Sequence, residues 1–204
     1  MKSNNIRDSP PPLRDYQQVD LAKMQNYEGR AALMVLATGL GKTRIYTEYI
    51  RWDVLNNNHN CLILSHREEL VYQPLTYLED LPCGVDLAGK HAHGEPVISA
   101  SVQSLVGRLD KYNPYEIDTI IVDEAHHAAA PTYRRVLEYF PSAQIFGFTG
   151  TAHRGDGVGL SCVFDDILTE RDTLWGIDNG YLLPMECRQV TLKSVSYTHL
   201  TLPT

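Results

Sequence analysis

The sequence predicts an α/β fold in which a parallel β-sheet is covered by helices on both faces. Two observations carry that expectation. Short apolar runs recur along the chain, separated by segments with helical spacing. The glycine-rich, polar and acidic segments fall directly after those runs, where a parallel sheet gathers its ligand-binding loops. Strands alternating with helices close as right-handed βαβ units.

Residues 1–12 read as a flexible lead-in ending at Pro10-Pro11-Pro12. Residues 13–27 have helical spacing, and 31–37 form an apolar run that enters a glycine turn, as a buried strand would. Residues 42–55 are amphipathic and helical. Residues 61–65 repeat the buried-strand pattern and lead into a helical stretch reaching about residue 79. Residues 85–88 and 97–101 are further strands. Residues 119–122 are β-branched, apolar and followed by acids; 132–139 form a helix and 144–149 a strand. One domain is therefore expected over 13–180, with an exit linker and strand over 181–194. Residues 195–204 (V-S-Y-T-H-L-T-L-P-T) have no cap and no period. They resemble translated adaptor read-through and are expected to be a non-native tail.

A chain of 204 residues is long enough to bury one full core. With 43% hydrophobic and 21% charged residues it has a globular balance. The net charge of −7 lacks the broad basic footprint of a compact duplex binder, so any nucleic-acid contact must be local. Cys61, Cys83, Cys162 and Cys187 are scattered and form no C-x-x-C pair, which argues against a zinc knuckle or a disulfide framework. A reducing cytoplasm is expected. The polar N-terminus has no signal-peptide pattern, and no apolar run nears the roughly 18 residues of a membrane span.

Two motifs carry chemistry. Ala37-Thr38-Gly39-Leu40-Gly41-Lys42-Thr43 follows a strand and opens a helix. Backbone N–H groups and a helix N-terminus there can face a triphosphate. Gly39 and Gly41 let the backbone approach, Lys42 reaches the β and γ phosphates, and the Thr43 hydroxyl suits Mg²⁺. The strict G-x-x-x-x-G-K-T pattern fails, because Leu36 occupies its first position. Ile120-Ile121-Val122-Asp123-Glu124-Ala125-His126 is an apolar strand ending in two acids. Adjacent acids at a strand end can divide two tasks: Asp123 holds Mg²⁺, and Glu124 polarises the attacking water. The competing readings are a glycine turn before an ordinary helix, and two solvated acids. Finding both motifs in one alternating pattern favours the chemical reading.

D-E-A-H at 123–126, together with A-T-G-L-G-K-T at 37–43, resembles superfamily-two helicases of the DEAD/DEAH kind. The resemblance implies a RecA-like P-loop NTPase domain, ATP and Mg²⁺ as cofactors, and a nucleic-acid partner, with DNA preferred over RNA. L-R-D-Y-Q at 13–17 resembles the adenine-reading motif, which implies that Gln17, with Arg14, contacts the base. L-S-H-R-E-E-L at 64–70 and S-V-Q-S-L at 101–105 resemble backbone-contacting motifs, implying contacts from Arg67, Ser101 and Gln103. F-T-G-T-A-H-R at 148–154 resembles the coupling motif T-A-T-P-x-R, implying coupling roles for Thr149, Thr151 and Arg154. Gly150 stands at that motif's alanine, and the stretch carries His153 but no proline. His126 is implied to link the ATP site to this motif. G-D-G at 155–157, Phe164 and I-D-N-G-Y-L-L-P at 177–184 follow the pattern of bacterial RadD-like or restriction-type helicases. The resemblance further implies a second RecA-like domain, lying outside this chain.

Other readings stay open. Arg67 could instead be a solvated or capping arginine, and His126 a polar residue starting a loop. His91-Ala92-His93 offers two metal ligands, but the sequence places no third. Trp52 and Trp175 lie in apolar patterns and read as core. An RNA helicase, a restriction-enzyme motor subunit and a non-catalytic ATP-binding module are the alternative functions.

Overall fold

The computed structural model describes residues 11–92, 94–151 and 159–184. Among these, seven strands form one sheet: β1 (Ala31–Leu36), β2 (Cys61–Ser65), β3 (Cys83–Asp86), β4 (Val97–Ser101), β5 (Thr119–Asp123), β6 (Gln144–Thr149) and β7 (Asp166–Arg171). Their order is β3-β4-β2-β5-β6-β1-β7, and each pairing is parallel. Parallel pairing puts the carboxyl ends of all the strands at one edge. The loops after β1, β2, β4, β5 and β6 therefore open on the same side.

The helices are α1 (Asp15–Gln25), α2 (Lys42–Asn57), α3 (Val102–Leu105), α4 (Pro131–Tyr139) and α5 (Thr173–Asp178). Successive strand side chains alternate between faces, so the sheet feeds two cores. Leu33, Val35, Leu64 and Val122 pack with Leu105 of α3 and with Tyr133 and Val136 of α4. Met34, Leu36, Ile63 and Phe148 pack on the other face with Met24 of α1 and with Ile45 and Ile50 of α2. Burial on both faces explains why β1 and β2 read as continuous apolar runs rather than alternating ones.

Two expectations need correction. The helical stretch after β2 is two separate 3₁₀ turns, Glu68–Leu70 and Pro74–Tyr77. Pro74 has no N–H to give a continuing helix and instead opens the second turn. The strand expected at 85–88 lies at Cys83–Asp86. A tight turn follows it, with Leu87 bridged to Lys90 and Gly89 at φ 78°. β7 and α5 were not expected. β7 alternates without an apolar run, with Ile167 exposed and Thr169 buried. It is fastened to α1 by polar groups: Thr169 Oγ1 donates to Asp20 Oδ1 (2.8 Å), Arg171 donates to both Asp20 oxygens (3.0 and 3.1 Å), and Lys23 Nζ donates to the Leu168 carbonyl (2.8 Å).

The expected lead-in up to residue 10, the exit linker and strand from residue 185 to 194 and the tail at 195–204 lie outside the described residues. Among the described residues, no helix is long and apolar enough to cross a membrane.

Candidate active site

The loop from Ala37 to Gly41 joins β1 to α2. The Leu40 N–H turns back to the Ala37 carbonyl (3.2 Å). Gly39 at φ 89° and Gly41 at φ 74° hold the left-handed backbone that glycine adopts without penalty. Leu40 is fully buried and anchors the loop from below. Its carbonyl accepts the Tyr16 hydroxyl (2.6 Å) and Gln17 Nε2 (3.2 Å). α2 then begins at Lys42 and points its N-terminal turn, the positive end of its dipole, toward the loop. Lys42 Nζ donates to the Leu36 carbonyl at the end of β1 (3.1 Å). Thr43 follows in the first turn, while Thr38 and Gly39 are exposed at the tip.

Asp123 ends β5, two strands from β1 with β6 between them. That spans about 10 Å at the usual strand spacing. β6 contributes Thr149 and leads into Gly150 in that gap. A Cβ at Gly150 would make only ordinary contacts, 3.7 Å from Thr38 Oγ1 and 3.8 Å from Lys42 Nζ. The alanine of the resembled motif would therefore fit, and this departure costs no space.

The two acids differ in surroundings. Burial, then the neighbouring Glu124 charge, pushes the Asp123 carboxyl up to about 6; the Glu124 N–H and the Lys42 charge act against that rise. Glu124 adopts φ 52°, ψ 53°, a left-handed conformation that is costly for a residue with a Cβ. Its side chain is 39% exposed. His126 Nδ1 lies 3.2 Å from Glu124 Oε2 and 3.4 Å from Thr149 Oγ1. Thr149 Oγ1 donates to the Thr151 carbonyl (2.9 Å) and accepts the Thr151 N–H (3.2 Å). His126, Thr149 and Thr151 are thus joined by hydrogen-bond contacts, and His126 also lies within ion-pairing distance of Glu124. Arg154 and His153 lie outside the described residues.

Gln17 is buried, and its Oε1 accepts the Arg14 N–H (3.0 Å). The Arg14 guanidinium sits over the Tyr181 ring, 5.6 Å from its centroid, and Tyr181 stacks on Trp175 at 5.5 Å. Leu182 closes against the loop: a Cβ on Gly39 would stand 2.9 Å from Leu182 Cδ2. Trp175, Tyr181 and Leu182 therefore pack beside Arg14 and the loop, a contact that sequence reasoning missed. The signal was the G-Y-L-L-P turn after α5, read only as an exit.

Of the residues expected at nucleic acid, Ser101 is buried and donates from Oγ to Gln103 Oε1 (2.8 Å). Gln103 Nε2 lies 3.3 Å from His66 Nδ1. Arg67 is exposed and lines a cleft of 870 Å³ together with His66, Glu124, His126 and His127. The arginine expected at the phosphodiester and the acid expected at the attacking water thus share one cleft.

The donor set suits Mg²⁺. A threonine hydroxyl and a carboxylate are hard oxygen ligands, and a divalent cation would relieve the buried charge that raises the Asp123 carboxyl.

Comparison with known proteins agrees with this geometry. The irc3 protein of Schizosaccharomyces pombe, whose name describes a mitochondrial ATP-dependent helicase, is 38% identical over 84% of this chain and 31% of its own length. IRC3 of Saccharomyces cerevisiae, also named as an ATP-dependent helicase, is 35% identical over 91% of this chain and 30% of its own length. The chain thus spans about a third of the length of the curated relatives it matches. The bacteriophage T4 UvsW helicase shares the fold, with a TM-score of 0.66 at 17% identity over 79% of this chain and 61% of that one. Residues 11–154 match the family described as "Type III restriction enzyme, res subunit", and the chain belongs to that family as the first RecA-like domain of a superfamily-two helicase.

Proposed function

We propose that this domain binds ATP and hydrolyses it in response to nucleic acid, as the first half of a helicase or translocase motor. The observation that carries this reading is the convergence of Lys42, Thr43, Asp123 and Glu124 on one sheet edge, beside a cleft that Arg67 also lines.

The loop amides, the α2 N-terminus and Lys42 hold the phosphates. Gln17 and Arg14 stand on the base side, next to Tyr181. Glu124 is the acid exposed enough to take a proton from water, and His126 holds its carboxylate. Thr43 and Asp123 would hold Mg²⁺, which neutralises phosphate charge when bound. His126 also touches Thr149, so the state of the nucleotide bears on the coupling loop.

DNA is the favoured track, because the matching family is described by a restriction enzyme, a class that acts on DNA. Arg67 and Gln103 meet backbone rather than bases, which gives grip without sequence information. A second RecA-like domain supplies the other wall of the nucleotide cleft and belongs to the longer protein. Cys61, Cys83 and Cys162 are free thiols, which suits a reducing compartment such as the cytoplasm.

The test is a pair of variants in the full-length protein. Lys42→Ala should lose binding of a fluorescent ATP analogue while its circular dichroism stays unchanged. Glu124→Gln should keep that binding and lose about 10²–10⁴ of DNA-stimulated turnover. Normal hydrolysis by Glu124→Gln would remove Glu124 from the role of base. Stimulation by RNA but not by single-stranded DNA would reassign the track.

A further inference from the structure

We propose that His66 and His127 are positioning residues that carry occupancy of the nucleic-acid cleft to Glu124. The inference rests on the ATPase reading above and adds a route by which the polymer controls hydrolysis.

The route is contiguous in the fold. Ser101 Oγ donates to Gln103 Oε1 (2.8 Å), and Gln103 Nε2 lies 3.3 Å from His66 Nδ1. The His66 ring stacks on His127, with centroids 4.2 Å apart and planes inclined by 22°. His127 in turn lies 4.1 Å from the His126 ring, and His126 Nδ1 meets Glu124 Oε2 at 3.2 Å. Six side chains, from Ser101 to Glu124, thus link the end of β4 to the acid just after β5, crossing β2, which lies between them in the sheet.

The mechanics of each part differ usefully. His126 and His127 sit on a 3₁₀ turn, Ala125–His127, pinned by the fully buried Ala125 and Ala128. Their backbone is held, so displacement reaches Glu124 through the rings. His66 is exposed beside Arg67, where the polymer backbone would pass. A phosphate drawn to Arg67 or Gln103 shifts His66, and a stacked ring cannot move without bearing on its neighbour. Two buried hydroxyls near this stack, Ser65 Oγ and Tyr133 Oη, have no hydrogen-bond partner among the described residues. Tyr133 packs near His66, with ring centroids 6.5 Å apart. Unmet polar groups at a functional edge suit an element with a second arrangement in which they are paired.

The experiment uses the full-length protein with a single-stranded oligo(dT) probe. ATP turnover is measured without and with saturating probe for the wild type, His66→Ala, His127→Ala and His127→Phe. Probe affinity is followed by fluorescence anisotropy. His66→Ala and His127→Ala should lose about tenfold of the stimulation factor, read as the ratio of turnover with saturating probe to turnover without it. His127→Phe keeps a ring in the stack and should retain stimulation. Wild-type stimulation in both alanine variants overturns the proposal. An equal fall of basal and stimulated rates also overturns it, as a purely structural effect, and loss of probe affinity in His66→Ala makes that residue a contact instead. Absence of stimulation in the wild type sinks the ATPase reading itself, an outcome separate from the others.

Discussion

Gln17 donates from Nε2 to the backbone carbonyl of Leu40 at 3.2 Å, so a side chain on α1 fixes the floor of the phosphate loop. A Cβ added to Gly41 would stand 2.5 Å from that same nitrogen. The two positions therefore constrain each other, one by occupying the space and the other by leaving it open.

This relationship predicts non-additive stability. Gly41→Ala meets two penalties: a left-handed backbone at φ 74°, costing about 1–2 kcal/mol, and the close approach to Gln17. Gln17→Ala loses the hydrogen bond to the loop but removes the obstacle. The double variant should be more stable than the sum of the two single losses implies, by about 0.5–3 kcal/mol. Urea unfolding of the four proteins measures this. Strict additivity would show that the two side chains do not meet.

β1, β2, β4, β5 and β6 were legible because burial on both faces forces apolar runs, and both chemical motifs were legible because each needs fixed residue types after such a run. β7 was not, because Asp20 and Arg171 hold it where apolar contacts usually would. α5 was not legible either: the Asp172 carboxylate caps it by accepting the Trp175 N–H (2.7 Å), but six residues leave no period to read. The His66–His127 stack was invisible because it joins residues far apart in sequence, and Leu182 reaches the loop at Gly39 only through the turn after α5.

Asp20 should be one of the most sensitive positions away from the nucleotide. It is fully buried and accepts from Thr169 and, through both oxygens, from Arg171. Removing one partner of a buried pair strands the other, at a cost of about 3–5 kcal/mol. Asp20→Ala should show that loss in chemical denaturation, and ATP affinity should fall with it because α1 also carries Gln17. Pairing Asp20→Ala with Arg171→Leu should recover part of the stability. Equal loss in the single and paired variants would mean that the stranded guanidinium is not the cause.

The raised Asp123 carboxyl predicts a stability penalty with a definite sign. In the unfolded chain the group loses its proton near its ordinary value of 3.8, but in the fold it does so near 6. Across that window the folded state holds a proton that the unfolded state has released. Stability therefore falls as pH rises through it, and the penalty is complete above about 6. It amounts to at most about 3 kcal/mol. Asp123→Asn, which can still accept the Glu124 N–H, should be more stable than the wild type at pH 7 and match it near pH 4. Thermal melts at the two pH values give the answer. A variant no more stable at pH 7 would mean that the folded domain tolerates the charged carboxylate without cost.

One RecA-like domain by itself is expected to hydrolyse ATP poorly. Glu124 is 39% exposed, so the attacking water it would orient stands in bulk solvent. Among the described arginines near the loop, Arg14 lies over Tyr181, Arg44 pairs with Glu48, and Arg171 is held by Asp20. Stabilising the charge that develops on a transferring γ-phosphate can be worth about 10³–10⁵ in rate when an arginine is supplied from across a cleft. Residues 11–184 alone should therefore bind ATP weakly, hydrolyse it near background and leave duplexes intact. The full-length protein should show turnover stimulated by single-stranded DNA. Phosphate release, measured with and without DNA for both proteins, separates the cases. Robust DNA-stimulated hydrolysis by the isolated domain would mean that Lys42, Asp123 and Glu124 complete the site unaided, and the requirement for a second domain would fall.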